Sequence, residues 1–225
     1  MKHTDVHGHK RTKHEKKFDM IVSIVFASFI LLVAIISLSV NSQKPKSVMI
    51  ISDSIAVGSW PEYLEDMLMP TYNKQVESLF LTDCPMYRMA RKSQHLMSRI
   101  GEFEKIIIIG GVYELLLNRQ ITETDLKAYT KLISLYGKHR VVFTTIPVVN
   151  EKDSDLIRIM NSSLIMFFEE RNYDYIDINT DKLEWRKHII VNDNTMYLSE
   201  TGQRLLADIM ITELSLRLNN FKGEQ

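Results

Sequence analysis

Ser52-Asp53-Ser54 follows the apolar, β-branched run Val48-Met49-Ile50-Ile51 and precedes a helical pattern. This is the profile of a buried strand that ends in a tight turn. A serine at that point sits at the carboxyl end of a strand and the start of a helix. Open α/β sheets place their ligand crevices at that edge, and a helix N-terminus offers free N–H groups to an anion. Ser54 is therefore the first candidate nucleophile, with capping of the helix by Asp53 and Ser54 as the structural alternative. The single cysteine, Cys84, has no His or second Cys close in sequence. It reads as a small buried hydrophobe, and one cysteine allows neither an intrachain disulfide nor a thiolate metal cluster.

The 225 residues suggest one domain plus an appendage. Charge is balanced overall, with 28 Lys and Arg against 28 Asp and Glu, but unevenly placed. Residues 1–20 hold six basic and three acidic side chains, and only Lys44 and Lys46 follow before residue 47. Residues 47–225 are left with 20 basic and 25 acidic groups, a net of −5. A mildly acidic domain lacks the electrostatic footprint of a nucleic-acid binder.

Residues 21–40 carry no charge. Twenty helical residues at about 1.5 Å each span about 30 Å, the thickness of a bilayer's hydrocarbon core. This predicts one N-terminal transmembrane helix. The basic excess before it places residues 1–20 in the cytoplasm and the domain outside, in a single-pass arrangement. A cleaved signal peptide is the rival, but its apolar core is shorter and Ser37-Leu38-Ser39 is a poor cleavage site. The tail also holds His3, His7, His9 and His14. Their spacing fits no regular metal site, and they read as part of a solvated, positive-inside flank. Residues 41–47, polar with one proline, read as a linker into a domain over 48–225.

Strands and helices alternate through that domain. Trp60, Tyr63, Leu64, Met67 and Leu68 form an amphipathic helix face, with Pro61 in the first turn and Pro70 as its stop. Residues 75–82 make a second strand, and 86–100 a looser helical pattern. Lys105 to Gly111 contains four consecutive isoleucines, which predicts a central parallel strand buried on both faces. A helix over 123–136 is bounded by Thr122 and Gly137. Strands over 140–149 and 173–178 flank a helix over 153–171, and a final helix covers 199–218. The order predicts a five-stranded, mainly parallel sheet covered on both faces.

Three stretches resemble the best-known blocks of the SGNH (GDSL-type) hydrolases. They are S-D-S-I-A-V-G from Ser52, I-G-G-V-Y-E-L from Ile109, and N-T-M-Y-L-S-E-T-G-Q-R-L-L-A from Asn194. Order and spacing match as well, over residues 47–218. The resemblance implies a flavodoxin-like three-layer α/β/α sandwich. It also implies kinship with esterases, lipases, and acetyl-esterases or O-acetyltransferases of glycans. Ser54 falls on the family nucleophile and Asp53 on the aspartate before it, while Ser52 replaces the usual glycine. Gly111-Val112-Tyr113-Glu114 falls on the family's G-x-N-D, so Tyr113 takes the position of the oxyanion asparagine and Glu114 that of the acid. Asn194-Thr195-Met196-Tyr197 falls on D-x-x-H, putting Asn194 at the acid and Tyr197 at the base. Asp193, one residue earlier, serves as the acid if the loop is shifted. The oxyanion glycine of the second block has no counterpart, since no glycine lies between Gly58 and Gly101.

These substitutions change the chemistry. A serine needs a general base at neutral pH. A tyrosine with pKa near 10 needs a shift of about three units, or about 4 kcal/mol, to act as one. His188, upstream of the last block, is the candidate displaced base, with an ordinary surface histidine as the alternative; His95 and His139 are expected away from the edge that carries Ser54. Two functions are expected. One is an acyl esterase or O-acyltransferase on O-acylated envelope glycans, using Ser54, His188 and Asp193, with Gly111, Tyr113, Glu114, Asn194 and Tyr197 around the substrate. The other is a catalytically inactive domain that binds a glycan or a protein in a membrane complex. No cofactor or metal is expected, and a phosphate-cradling glycine-rich loop is absent.

Overall fold

A computed structural model describes residues 22, 25–31, 47–53, 57–117, 119–147, 154–179, 187–192 and 195–220. The chain divides into two compact units, Met1–Lys44 and Pro45–Gln225. In the first, residues 25–31 are helical, and Val25, Phe26, Phe29, Ile30 and Leu31 are all exposed. Most of the expected span 21–40 lies outside the described residues. Among those described, no helix is long and apolar enough to cross a membrane.

The second unit is built on five strands: β1 (Ser47–Ser52), β2 (Val76–Phe80), β3 (Phe103–Ile109), β4 (Val141–Thr144) and β5 (Tyr175–Ile176). They form one sheet in the order β2-β1-β3-β4-β5, and every pairing is parallel. Ile106 to Ile109 are at most 1% exposed, as four consecutive isoleucines require of a strand covered on both faces. β4 and β5 are shorter than the apolar runs that predict them, and Pro147 lies beyond the paired part of its run.

Helices cover both faces. α1 (Trp60–Tyr72) packs with the last helix, α6 (Glu200–Asn220). On the opposite face lie α2 (Met86–Lys92), α4 (Glu123–Tyr136) and α5 (Ser154–Glu170); a five-residue helix, α3 (Val112–Leu116), follows β3. Tyr129 of α4, Phe143 of β4 and Phe168 of α5 lock together, with Phe143 and Phe168 stacked at 5.0 Å and Tyr129 edge-on to Phe143 at 4.9 Å. This is the expected three-layer α/β/α sandwich with a five-stranded parallel sheet.

Local differences have local causes. α1 runs through Pro70 and closes at Asn73, which adopts φ 52° and donates its N–H to Met69 O. Pro70 sits within the last turn, so it removes only one late hydrogen bond rather than stopping the helix. The pattern over 86–100 splits at Ser93 into α2 and a 3₁₀ segment, Gln94–Glu102. The Ser93 hydroxyl bonds back to Met89 O, and the Tyr136 hydroxyl donates to Ser93. α4 matches its sequence signals at both ends, with a capping box between Thr122 and Asp125. A two-stranded antiparallel hairpin, β6 (Ile189–Asn192) and β7 (Thr195–Leu198), precedes α6 and was not expected.

Candidate functional site

In the order β2-β1-β3-β4-β5, β1 and β3 are neighbours across the point where successive connections run in opposite directions. That switch point is where an open α/β sheet leaves a crevice beyond its strand ends. Ser52 ends β1, and Gly110-Gly111 follow β3. Ser54 lies two residues past β1, outside the described residues. The residue before it is well defined. Asp53 is fully buried, its N–H donates to Ile109 O at 3.0 Å, and its Oδ2 accepts Val112 N–H at 2.9 Å and Tyr113 N–H at 3.3 Å. Asp53, the residue before Ser54, is thereby pinned to the first turn of α3.

Gly111 makes this pinning possible. Its φ is +98°, and a Cβ there would stand 2.8 Å from Ile146 Cδ1. Only glycine fits both the backbone and the space. Tyr113, next but one, is half-buried and open to the surface. Glu114 points inward. It is fully buried, and its Oε1 accepts Met86 N–H at 2.9 Å and the Arg119 guanidinium at 2.9 Å. It therefore ties α3 to the start of α2, beneath the surface where a substrate would sit. Burial pushes its pKa up, against the lowering hydrogen bond from Met86. Asp125 shares Arg119, at 2.6 Å and 3.1 Å. Burial raises its pKa too, but the bonds from Arg119 and Thr122 outweigh that and leave it lowered.

The β4 edge is fixed by side-chain hydrogen bonds, among them two from the Asn179 amide, to Thr145 Oγ1 at 3.1 Å and Ile146 O at 2.7 Å. Asn161 of α5 accepts Ile146 N–H and donates to Ile146 O, both at 2.7 Å. Thr145 donates to Asp177 at 2.7 Å and accepts from Ile178 N–H at 3.0 Å. Sequence reasoning missed Asn161, because a single Asn within an amphipathic helix carries no local signal of a backbone partner.

The last block departs most from expectation. Tyr197 lies on β7 opposite Ile190 and is 36% exposed. The Ile189–Val191 and Thr195–Leu198 runs, separated by Asn192-Asp193-Asn194 in the sequence, carry a hairpin signal that the resemblance had hidden. Asp193 and Asn194 lie outside the described residues. His188 stands at the base of the hairpin, where its carbonyl accepts Ser199 N–H at 2.7 Å, and it packs against Gly202 of α6. The extended β6 carries the chain about 13 Å away from His188 before Asp193 is reached.

Gln203, on the same turn of α6, accepts Ser59 N–H at 2.6 Å and donates to Leu198 O at 3.1 Å. Ser59 precedes α1 and follows the Ser54 turn by five residues. The first turns of α1 and α6 are thus joined, and His188 sits beside that junction. His95 and His139 precede β3 and β4, at the opposite ends of those strands. Among the described residues, no group of His, Cys, Asp and Glu is arranged to hold a metal ion.

No family model matches the sequence, and no curated protein aligns with it. Solved structures do match. A lipase/acylhydrolase from Enterococcus faecalis superposes with a TM-score of 0.63 at 15% identity, covering 76% of this chain and 96% of its own. A family 3 carbohydrate esterase from Clostridium thermocellum gives 0.62 at 11% identity, over 79% and 99%. A member of the lipolytic G-D-S-L family from Veillonella parvula gives 0.55 at 18% identity, over 74% and 96%. The chain has the SGNH hydrolase fold.

Proposed function

We propose that this protein is a membrane-anchored SGNH-type acyl esterase or O-acyltransferase acting on O-acylated glycans of the cell envelope. Ser54 is the nucleophile and His188 its displaced base. The observation that carries this reading is the join between Ser59 and Gln203. It ties the first turn of α6, with His188 against it, to Ser59, five residues after Ser54 in the sequence. Support for the substrate class comes from the likeness to a carbohydrate esterase. On this reading the half-buried Tyr113, whose N–H is held by Asp53, supplies a phenol donor in place of the family's asparagine. An oxyanion donor of this kind contributes about 10²–10³ in rate.

Residues 21–40 would anchor the chain in the bilayer, with residues 1–20 cytoplasmic and the domain outside. The charge-free sequence and the exposed apolar side chains of residues 25–31 support this. Protease added to intact cells should digest the domain and spare the N-terminal tail.

One observation favours a second reading, a catalytically inactive domain that binds a glycan or a membrane-protein partner. Tyr197, at the family's base position, is a paired residue of a strand rather than a loop residue. A single assay separates the two. The full-length chain in detergent micelles is tested for hydrolysis of a small acetyl ester and of an O-acetylated oligosaccharide. Ser54→Ala and His188→Gln should each lower the rate, by about 10²–10⁴ for loss of a general base. Background rates in the unaltered protein and in Ser54→Ala alike would leave only the binding reading.

A further inference from the structure

A cleft of about 420 Å³ opens beside Tyr113, lined by Pro85, Tyr87, Arg88, Leu117 and Arg119 among others. It falls within the usual size range of small-molecule sites, about 300–1,000 Å³. Tyr113 belongs both to this cleft and to the Asp53-pinned turn, so the two form one continuous surface. Tyr87 and Leu117 leave 45% and 55% of their surface exposed there. An exposed ring and an exposed aliphatic chain facing a polar cleft suit a ligand with one apolar face and a hydroxyl rim, as a pyranose has.

The charges in the cleft are not equivalent. Arg119 is committed to Glu114 and Asp125, both fully buried below it. Asp125 is held ionised by Arg119, while burial drives Glu114 toward its neutral form. Arg88 is different. Its guanidinium lies 5.4 Å from the Tyr87 ring centre and has no carboxylate partner among the described residues. A planar guanidinium without a carboxylate partner matches a carboxylate or a phosphate, to which it donates two parallel hydrogen bonds.

We infer that this cleft is a subsite for a sugar ring bearing an anionic substituent, stacked against Tyr87 and countered by Arg88. The saccharide part rests on the function proposed above; the charge preference is carried by the cleft itself. A glycan held here would present its next residue, and the acyl group on it, to the turn that carries Ser54.

The test is direct binding by titration calorimetry with the full-length chain in micelles. The probes are cellohexaose, its counterpart oxidised to carboxylates at C6, and its counterpart phosphorylated at C6. None carries an acyl ester, so a protein without esterase activity still reports on them. One or both anionic probes should bind at least about tenfold more tightly than cellohexaose, which corresponds to 1.4 kcal/mol. The tighter of the two identifies carboxylate or phosphate as the preferred substituent. Arg88→Ala should remove the preference and Arg88→Lys should keep part of it, whereas Arg158→Ala, on the exposed face of α5, should change nothing. Equal affinity for charged and uncharged probes, no binding of any, or a preference that survives Arg88→Ala would each overturn the inference. Arg88 is exposed on α2, so its replacement leaves the core intact.

Discussion

Asp53 accepts the N–H of Val112 at 2.9 Å, so the residue next to the candidate nucleophile is also the cap of the short helix after β3. The two outermost features of the switch point are held by one carboxylate. Asp53→Ala should leave the buried Val112 N–H and the part-buried Tyr113 N–H without that acceptor and cost about 2 kcal/mol. Urea denaturation would show it as a lower midpoint at unchanged slope. If the esterase reading holds, activity should fall more than stability does, because the Ser54 turn loses its anchor.

The Glu114–Arg119–Asp125 cluster gives a pH dependence of two signs. Asp125 has a lowered folded pKa, so its contribution is present above about pH 3.9, the unfolded value, and is lost as pH falls through the folded value. Glu114 has a raised folded pKa, so it takes up a proton on folding. Stability from Glu114 therefore rises as pH falls from neutrality through its folded pKa, down to about pH 4.3. Glu114→Gln should flatten that rise, and the destabilisation by Asp125→Asn should be largest near pH 7 and shrink as pH falls below about 3.9. Thermal melts across pH 3–8 would read both, and a Glu114→Gln profile parallel to wild type would contradict the assignment.

Asn161 closes two hydrogen bonds on one peptide unit, the N–H and C=O of Ile146. Asn161→Ala should cost about 2 kcal/mol, since the buried Ile146 N–H is left unmet while its carbonyl keeps the Asn179 amide at 2.7 Å. Asn161→Asp should be no better, because it buries a charge and sets a carboxylate oxygen against the Ile146 carbonyl where the amide donates. Equilibrium unfolding of the two variants tests this.

Gly58 and Gln203 are sterically coupled. Gly58 has φ +154°, and a Cβ there would lie 2.5 Å from the Gln203 side chain, whose amide is held at both ends. Gly58→Ala and Gln203→Ala should each destabilise the fold. In the double variant the clash disappears while the backbone strain remains, so the two effects should sum to less than additive by about 1 kcal/mol.

The sheet was legible because its signals are local and redundant. Four isoleucines in a row admit few alternatives to a central strand, and Thr122 and Gly137 mark both ends of α4 without help from the rest of the chain. Chain breaks set by distant partners were not legible. The split at Ser93 depends on Tyr136, 43 residues away. The site was legible as a place, at the β1 and β3 exits, more than as a set of roles. Glu114 was expected around the substrate because sequence does not reveal that Met86 N–H and Arg119 hold it inside. The hairpin after His188 was hidden for another reason: the family pattern treats that stretch as one loop, whereas its β-branched runs fold on themselves.

The strand order also sets how the chain must assemble. β1 emerges first, yet Val48 pairs with Val76 on one side and Lys105 on the other. The first strand made is thus the second from the sheet's edge, and it stays half-partnered until β3 has been synthesised. With every strand parallel, no hairpin within the sheet can nucleate it, and each pairing must close a long loop first. Folding should therefore be slow for a domain of this size. The interval in which β1 waits with one edge bare is when the nascent chain is most exposed to mispairing.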